Sequence, residues 1–155
     1  MVDEVRKLLR LVFNEPPWQV DEEQDARDQQ LLSDPTMVWY VATEDGRVAG
    51  FIAGYVGPPA EVANKFDIPQ EFLTGTKIGY KALFGVSSEF RGRRVGQLLT
   101  TTLLDYFEAE QVDQFLVATV EGTHNYPRYL RSLTTLGGCQ KGLLYFGYRG
   151  VPSGI

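Results

Sequence analysis

The chain has 155 residues, 43% of them hydrophobic and 23% charged, which is the balance of a folded protein able to bury a core rather than of a disordered segment. A net charge of −5 and a pI of about 4.9 argue against a general attraction to nucleic acid or anionic lipid. No run approaches the roughly 18 apolar residues needed to cross a bilayer, and Cys139 is the only cysteine, which excludes an intrachain disulfide and a Cys/His zinc set.

The opening Met1-Val-Asp-Glu-Val-Arg puts acid where a secretory signal carries base, and it lacks a small-residue cleavage site, so a reducing cytoplasm is expected. Val5, Leu8, Leu9 and Val12 recur at helical spacing and predict an amphipathic helix over 3–13, ending before Pro16-Pro17. A polar helix is expected over Asp21–Leu32, stopped by Ser33-Asp34-Pro35. Met37–Thr43 and Val48–Val56 are β-branched and aromatic, and Asp45-Gly46 between them supplies hairpin turn chemistry. Gly57–Thr76 carries Pro58, Pro59 and Pro69 without clear periodicity and reads as a connection or a lid, with Val62, Phe66, Ile68, Phe72 and Leu73 to pack it. Lys77–Val86 then reads as a strand, and Val95, Leu98, Leu99, Thr102, Leu103, Tyr106 and Phe107 as one face of a helix reaching about Glu110. Gln114–Val120 is a short apolar strand. Pro127–Leu136 reads as a helix capped near Asn125 and closed by Gly137-Gly138, and Leu143–Arg149 as the last strand. The whole is read as one domain over residues 1–155.

One segment combines specific chemistry with a telling context: Phe84-Gly-Val-Ser-Ser-Glu-Phe-Arg-Gly-Arg-Arg-Val-Gly-Gln-Leu-Leu99. A strand runs through a tight loop into a strong helix, and Arg91, Arg93 and Arg94 cluster there in an otherwise acidic chain. A helix start offers unpaired N–H groups and the positive end of the macrodipole. Gly92 and Gly96 let backbone approach a ligand closely, so the segment can cradle a phosphate. The plain alternative is a solvated basic loop with Gly96 easing helix packing. No Gly-Lys-Ser/Thr closes the loop and Gly-x-Gly-x-x-Gly is absent, which excludes a nucleotide P-loop and a Rossmann fingerprint.

The segment resembles the coenzyme A-binding motif of the GCN5-related N-acetyltransferase (GNAT) superfamily, Gln/Arg-x-x-Gly-x-Gly/Ala after a strand and opening a helix. Arg91 takes its first position and Gly96 its last, while Arg94 stands where the pattern has its middle glycine, which argues against a left-handed backbone there but leaves the amide. The resemblance implies an α/β (α+β) fold: a mixed, mostly antiparallel central sheet with a splayed parallel pair, flanked by helices. It implies that Lys77–Val86 and Gln114–Val120 are the splayed strands. Backbone amides of Gly92, Arg93, Arg94, Val95, Gly96 and Gln97 would hold the pyrophosphate of acetyl-coenzyme A. Main chain at Phe84, Gly85 and Val86 would pair with the pantetheine arm, and Asn125 joins the cofactor-binding set. The acyl donor is then a co-substrate, no metal is expected, and an amine attacks the thioester directly, so Cys139 needs no role.

An attacking amine must lose a proton. Glu121, just past the Gln114–Val120 strand, is the candidate base, and His124 lies in the same loop; an exposed turn acid and a surface histidine are the plain alternatives. Many relatives carry a tyrosine seven residues after the asparagine, where this chain has Ser132; Tyr129, one turn earlier, is the nearest phenol and the candidate acid. Trp18, Trp39, Tyr40, Tyr55 and Phe66 can line an acceptor pocket or belong to the core, and the acids of 21–28 can attract a cationic amine or form a wet face. Expected partners are a coenzyme A thioester and an amine of a small molecule or peptide, without nucleic acid or membrane; a second copy of the chain remains a candidate. Beside the N-acetyltransferase stand two other readings: an acyl-coenzyme A-binding module with little catalysis, and an interaction protein without coenzyme.

Overall fold

The computed structural model describes residues 2–14, 22–138, 142–153 and 155. Helix α1 (Val2–Asn14) buries Val5, Leu8 and Leu9 on one face, and Asp3 and Glu4 in its first turn suit the positive end of its dipole. Helix α2 (Glu22–Leu31) follows, then a hairpin of β1 (Val38–Glu44) and β2 (Arg47–Gly57). Its turn residues Asp45 and Gly46 have φ of 52° and 76°, the two left-handed positions that let a two-residue turn match strand twist.

The segment 57–76 differs from the connection or lid expected of it. It forms α3 (Pro59–Phe66) and a 3-10 turn (Gln70–Phe72). The prolines start these elements instead of breaking them, because a first-turn residue needs no N–H partner. Buried Val62, Ile68 and Leu73 fasten the segment to the core. Strand β3 (Ile78–Val86), helix α4 (Val95–Ala109) and strand β4 (Gln114–Thr119) come next, close to the expected bounds.

A second difference lies beyond β4. The helix predicted over Pro127–Leu136 is only α5 (Tyr126–Ser132); Leu133 turns extended, with φ −125° and ψ 164°, and β5 (Thr134–Gly138) follows. Thr134 and Thr135 pair with Gly147 and Phe146 of β6 (Leu144–Arg149). Cross-strand partners distant in sequence thus override a local helical spacing. Gly137, expected to end a helix, instead sits at a register break in β5 with φ 145°.

The six strands run β1-β2-β3-β4-β6-β5, antiparallel throughout except for β3 beside β4. Phe51, Ala53, Tyr55, Tyr80 and Leu116 face a core that includes Val5, Leu9 and Val62 of α1 and α3. Ile52, Phe115, Val117 and Phe146 face Leu99, Leu103 and Phe107 of α4 and Tyr129 of α5. Helices therefore cover both faces of the sheet, and burial on both explains why β2 and β4 read as nearly continuous apolar runs.

Candidate active site

The parallel pair is joined only in part. Ile78–Lys81 lie beside Gln114–Val117, and there the pairing ends. Both strands nevertheless continue: β3 stays on β2 as far as Val86 opposite Gly50, and β4 stays on β6 as far as Thr119 opposite Leu144. Main chain of 82–86 thus turns one edge to a gap between strands. Gly54 sits opposite Lys81 while Ala53 sits opposite Leu83, so Ala82 is an extra residue bulged out of β3. A bulge sharpens local twist, and this one falls where the two strands part. It also breaks the alternation of side chains. Ala82 and Leu83 both turn to the α1 side, which brings Lys81 and Phe84 onto the α4 side together.

At the carboxyl end of β3, Ser87 donates its N–H to Ala49 O at 2.8 Å, a 3-10 turn follows over Ser88–Phe90, and the chain enters α4. Gly92 and Arg94 have φ of 84° and 63°. Arg94 is therefore left-handed, contrary to the expectation drawn from its side chain: the loop geometry demands the conformation whether or not a glycine supplies it. It is the N-cap of α4, no side chain caps the helix, and no acid occupies the first turn. The leading N–H groups of α4 thus remain available to an anion. Arg93 bonds Glu44 at 3.0 Å, and Phe90 lies buried between the guanidinium groups of Arg93 and Arg47, at 5.5 and 5.4 Å. Gly96 has a packing role that the plain alternative foresaw: a Cβ there would meet the Phe84 ring at 3.0 Å. Val95 and Gly96 are half-buried, and Gln97 is exposed.

Across the gap, Glu121, Gly122 and His124 lie exposed in the turn after β4, where Thr123 bonds Thr119 through their hydroxyls at 2.8 Å. Asn125 precedes α5 without a side-chain capping bond, and Ser132 is exposed at the far end of the helix. Tyr129 is 2% exposed, and its hydroxyl meets Lys81 Nζ at 2.7 Å. Lys81 is itself 6% exposed, with Nζ 4.2 Å from the Phe84 ring centroid and 5.3 Å from that of Tyr129. Sequence reasoning passed over Lys81. Its signal was present, as the lone charge in the apolar run Ile78-Gly-Tyr-Lys-Ala-Leu-Phe-Gly-Val86, but only the register puts it at the end of the pairing.

The aromatic residues nominated for an acceptor pocket do not converge. Trp39 packs on Phe51 and donates to Leu31 O, Tyr55 and Phe66 pack edge to face over the α3 side, and Tyr40 lies against the other core. Trp18 and Cys139 lie outside the described residues. Of the acids at 21–28, Asp28 is buried rather than wet. A cleft of about 350 Å³ lies at the opposite end of the parallel pair, lined by Thr74, Asp113, Gln114, Thr134 and Arg149 among others. Its polar groups are spent on structure: Gln114 bonds Thr74 N, Gly75 N and Phe72 O, and Asp113 holds Thr76 and Lys77. Among the described residues no cluster of three or more His, Cys, Asp or Glu side chains is arranged to hold a metal, and no helix is long and apolar enough to cross a membrane.

Residues 2–131 match the family profile described as acetyltransferase (GNAT) family. No curated protein matches the sequence. Among solved structures, the chain is similar to FeeM, an N-acyl amino acid synthase from uncultured soil microbes, at a TM-score of 0.71 and 15% identity, covering 95% of this chain and 89% of that one. It is similar to a polyamine N-acetyltransferase of Drosophila melanogaster at a TM-score of 0.66 and 13% identity, covering 96% and 94%. It is also similar to Arabidopsis thaliana NAA60 in complex with acetyl-CoA, at a TM-score of 0.61 and 16% identity, covering 95% and 93%. At identities this low the likeness is one of fold alone.

Proposed function

Since the chain belongs to the acetyltransferase (GNAT) family of enzymes, we propose that it moves an acetyl group from acetyl-coenzyme A to an amine by direct attack in a ternary complex. The observation that carries this reading is the gap between β3 and β4, opening beyond Lys81 and Val117 and flanked by the uncapped start of α4. The backbone amides of Gly92–Gln97 hold the pyrophosphate, with Arg91 and Arg94 offsetting its charge. Arg93 shares its charge with Glu44, which it bonds at 3.0 Å. The free edge of Phe84–Val86 receives the pantetheine amides, in the manner of a short added strand. A main-chain N–H at this edge polarises the thioester carbonyl as negative charge builds on its oxygen.

Glu121, at the carboxyl end of β4, serves as the base that takes the amine proton, directly or through water, and Tyr129 gives a proton to the departing sulfur. Asn125, at the start of α5, joins the residues that bind the coenzyme. The buried Tyr129 hydroxyl makes Ser132, four-fifths of a turn further on and exposed, unnecessary for this step.

Acetyl-coenzyme A is expected to raise the melting temperature by linkage, and Arg91→Glu with Arg94→Glu to abolish the shift. Turnover is read as free thiol released with a panel of polyamines, amino acids and short peptides. Binding without thiol release across the panel would support a coenzyme-binding module instead, and no shift at millimolar ligand would leave neither reading standing.

A further inference from the structure

Lys81 is the one buried lysine among the described residues, and none of their carboxylates pairs with it. Burying an ammonium is costly, so its surroundings have to compensate. Two aromatic faces and one hydroxyl do so here: Phe84 at 4.2 Å, the Tyr129 ring at 5.3 Å and the Tyr129 oxygen at 2.7 Å. An ammonium has three donors and no acceptor, so the Tyr129 oxygen must be accepting. The phenol's own proton therefore points away from Lys81, and among the described residues no acceptor takes it. The pair stands where β3 and β4 cease to pair, at the bulge of Ala82. Phe84 is pressed toward Lys81 from the loop side, since its ring lies against Gly96 at the start of α4.

We infer that Lys81 is a positioning residue for acyl transfer, turning the Tyr129 proton into the gap and balancing the phenolate that remains when the proton leaves. This rests on the reaction proposed above. There the amine nitrogen bonds the acyl carbon, the carbon–sulfur bond breaks and its electron pair goes to sulfur. Tyr129 gives its proton to that sulfur, and the phenolate faces the Lys81 ammonium. The proton lost by the amine to Glu121 or water balances the proton that solvent returns to Tyr129. Lys81 neither gains nor loses a proton over the cycle.

The test compares wild type with Lys81→Met, Lys81→Arg, Tyr129→Phe and the Lys81→Met/Tyr129→Phe double variant, using acetyl-coenzyme A and the best amine of the panel. Lys81→Met is expected to lower kcat by about 10- to 100-fold, less than the roughly 10²- to 10⁴-fold that a general acid supplies because Tyr129 itself stays in place, while KM for acetyl-coenzyme A changes less than about threefold. Lys81→Arg recovers part of the loss. The double variant is no slower than Tyr129→Phe alone, because the two groups act as a unit. A purely structural tie would lower the melting temperature and give effects that multiply. A readout independent of turnover is the 13Cζ resonance of Tyr129, assigned by its loss in Tyr129→Phe. Added coenzyme A moves it in wild type and not in Lys81→Met at saturation. A wild-type kcat in Lys81→Met, multiplying effects, or an unmoved resonance with coenzyme A bound overturns the inference alone. A wild type that binds no coenzyme A overturns it together with the reaction.

Discussion

Arg94 holds φ 63° without a glycine's freedom, and a side chain in that region costs about 1–2 kcal/mol in steric conflict with its own carbonyl. Arg94→Gly should therefore raise the unfolding free energy by up to about 1 kcal/mol, part of the relief being lost to the freer unfolded chain. Arg94→Val should lower it by about 1–2 kcal/mol, since a β-branched side chain fits this region worst; urea unfolding of the two variants checks the contrast. A second residue-scale effect concerns acid. The Lys65 ammonium, then the Thr36 hydroxyl and amide, hold the Asp34 carboxyl down at about 2 from its ordinary 3.8. The Thr76 hydroxyl and the Lys77 amide likewise lower that of Asp113. Folded values below unfolded ones mean that the native state binds fewer protons, so this stability is complete above about pH 4 and drains away toward pH 2. Urea midpoints should fall through that window, and Asp34→Asn should show a shallower fall from a lower start. Little of this was legible in sequence. Arg94 was identified as a departure, yet its conformation comes from the loop closing between β3 and α4, and Asp34 and Lys65, 31 positions apart, meet only when the chain between them folds back.

Helix α4 rests on the sheet above positions that lack side chains. A Cβ on Gly54 would stand 2.7 Å from Leu103 Cδ1 and 2.9 Å from Phe107 Cζ, and one on Gly79 would stand 2.9 Å from the Phe107 ring. These glycines set the height at which the helix lies, and so where its amino end points. Gly54→Ala should cost about 1–3 kcal/mol, as overpacking does, and lower the melting temperature by several degrees at this chain length. It should also weaken the acetyl-coenzyme A shift by tilting α4, whereas a surface control such as Thr101→Ala should change neither. Helix α4 itself was readable because its apolar face repeats over fifteen residues. Short elements were not: α5 has seven residues and β5 five, too few for a period to declare itself, and β5 exists because β6 offers it an edge. In α3, prolines that serve as first-turn residues were read as interruptions.

Over the whole molecule, the arginines of the 91–94 loop stand against a net charge of −5. The gap lies where two parallel strands keep opposite outer partners and lose each other. Ligand in that gap should slow amide exchange in 82–97 and leave β1, β5 and α3 unchanged, measured by hydrogen exchange with and without acetyl-coenzyme A. Protection spread evenly over the sheet, or confined to the cleft around Asp113 and Gln114, would contradict the placement. The loop signature, the strand feeding it, the long amphipathic helix after it and hence the family were determined by sequence alone, because each is a pattern contiguous in the chain. The parting of β3 from β4, the bulge at Ala82 and the meeting of Lys81 with Tyr129 were decided only by tertiary structure. They depend on register between strands and on contacts across 48 residues, and no local periodicity encodes which strand will run out of a partner first.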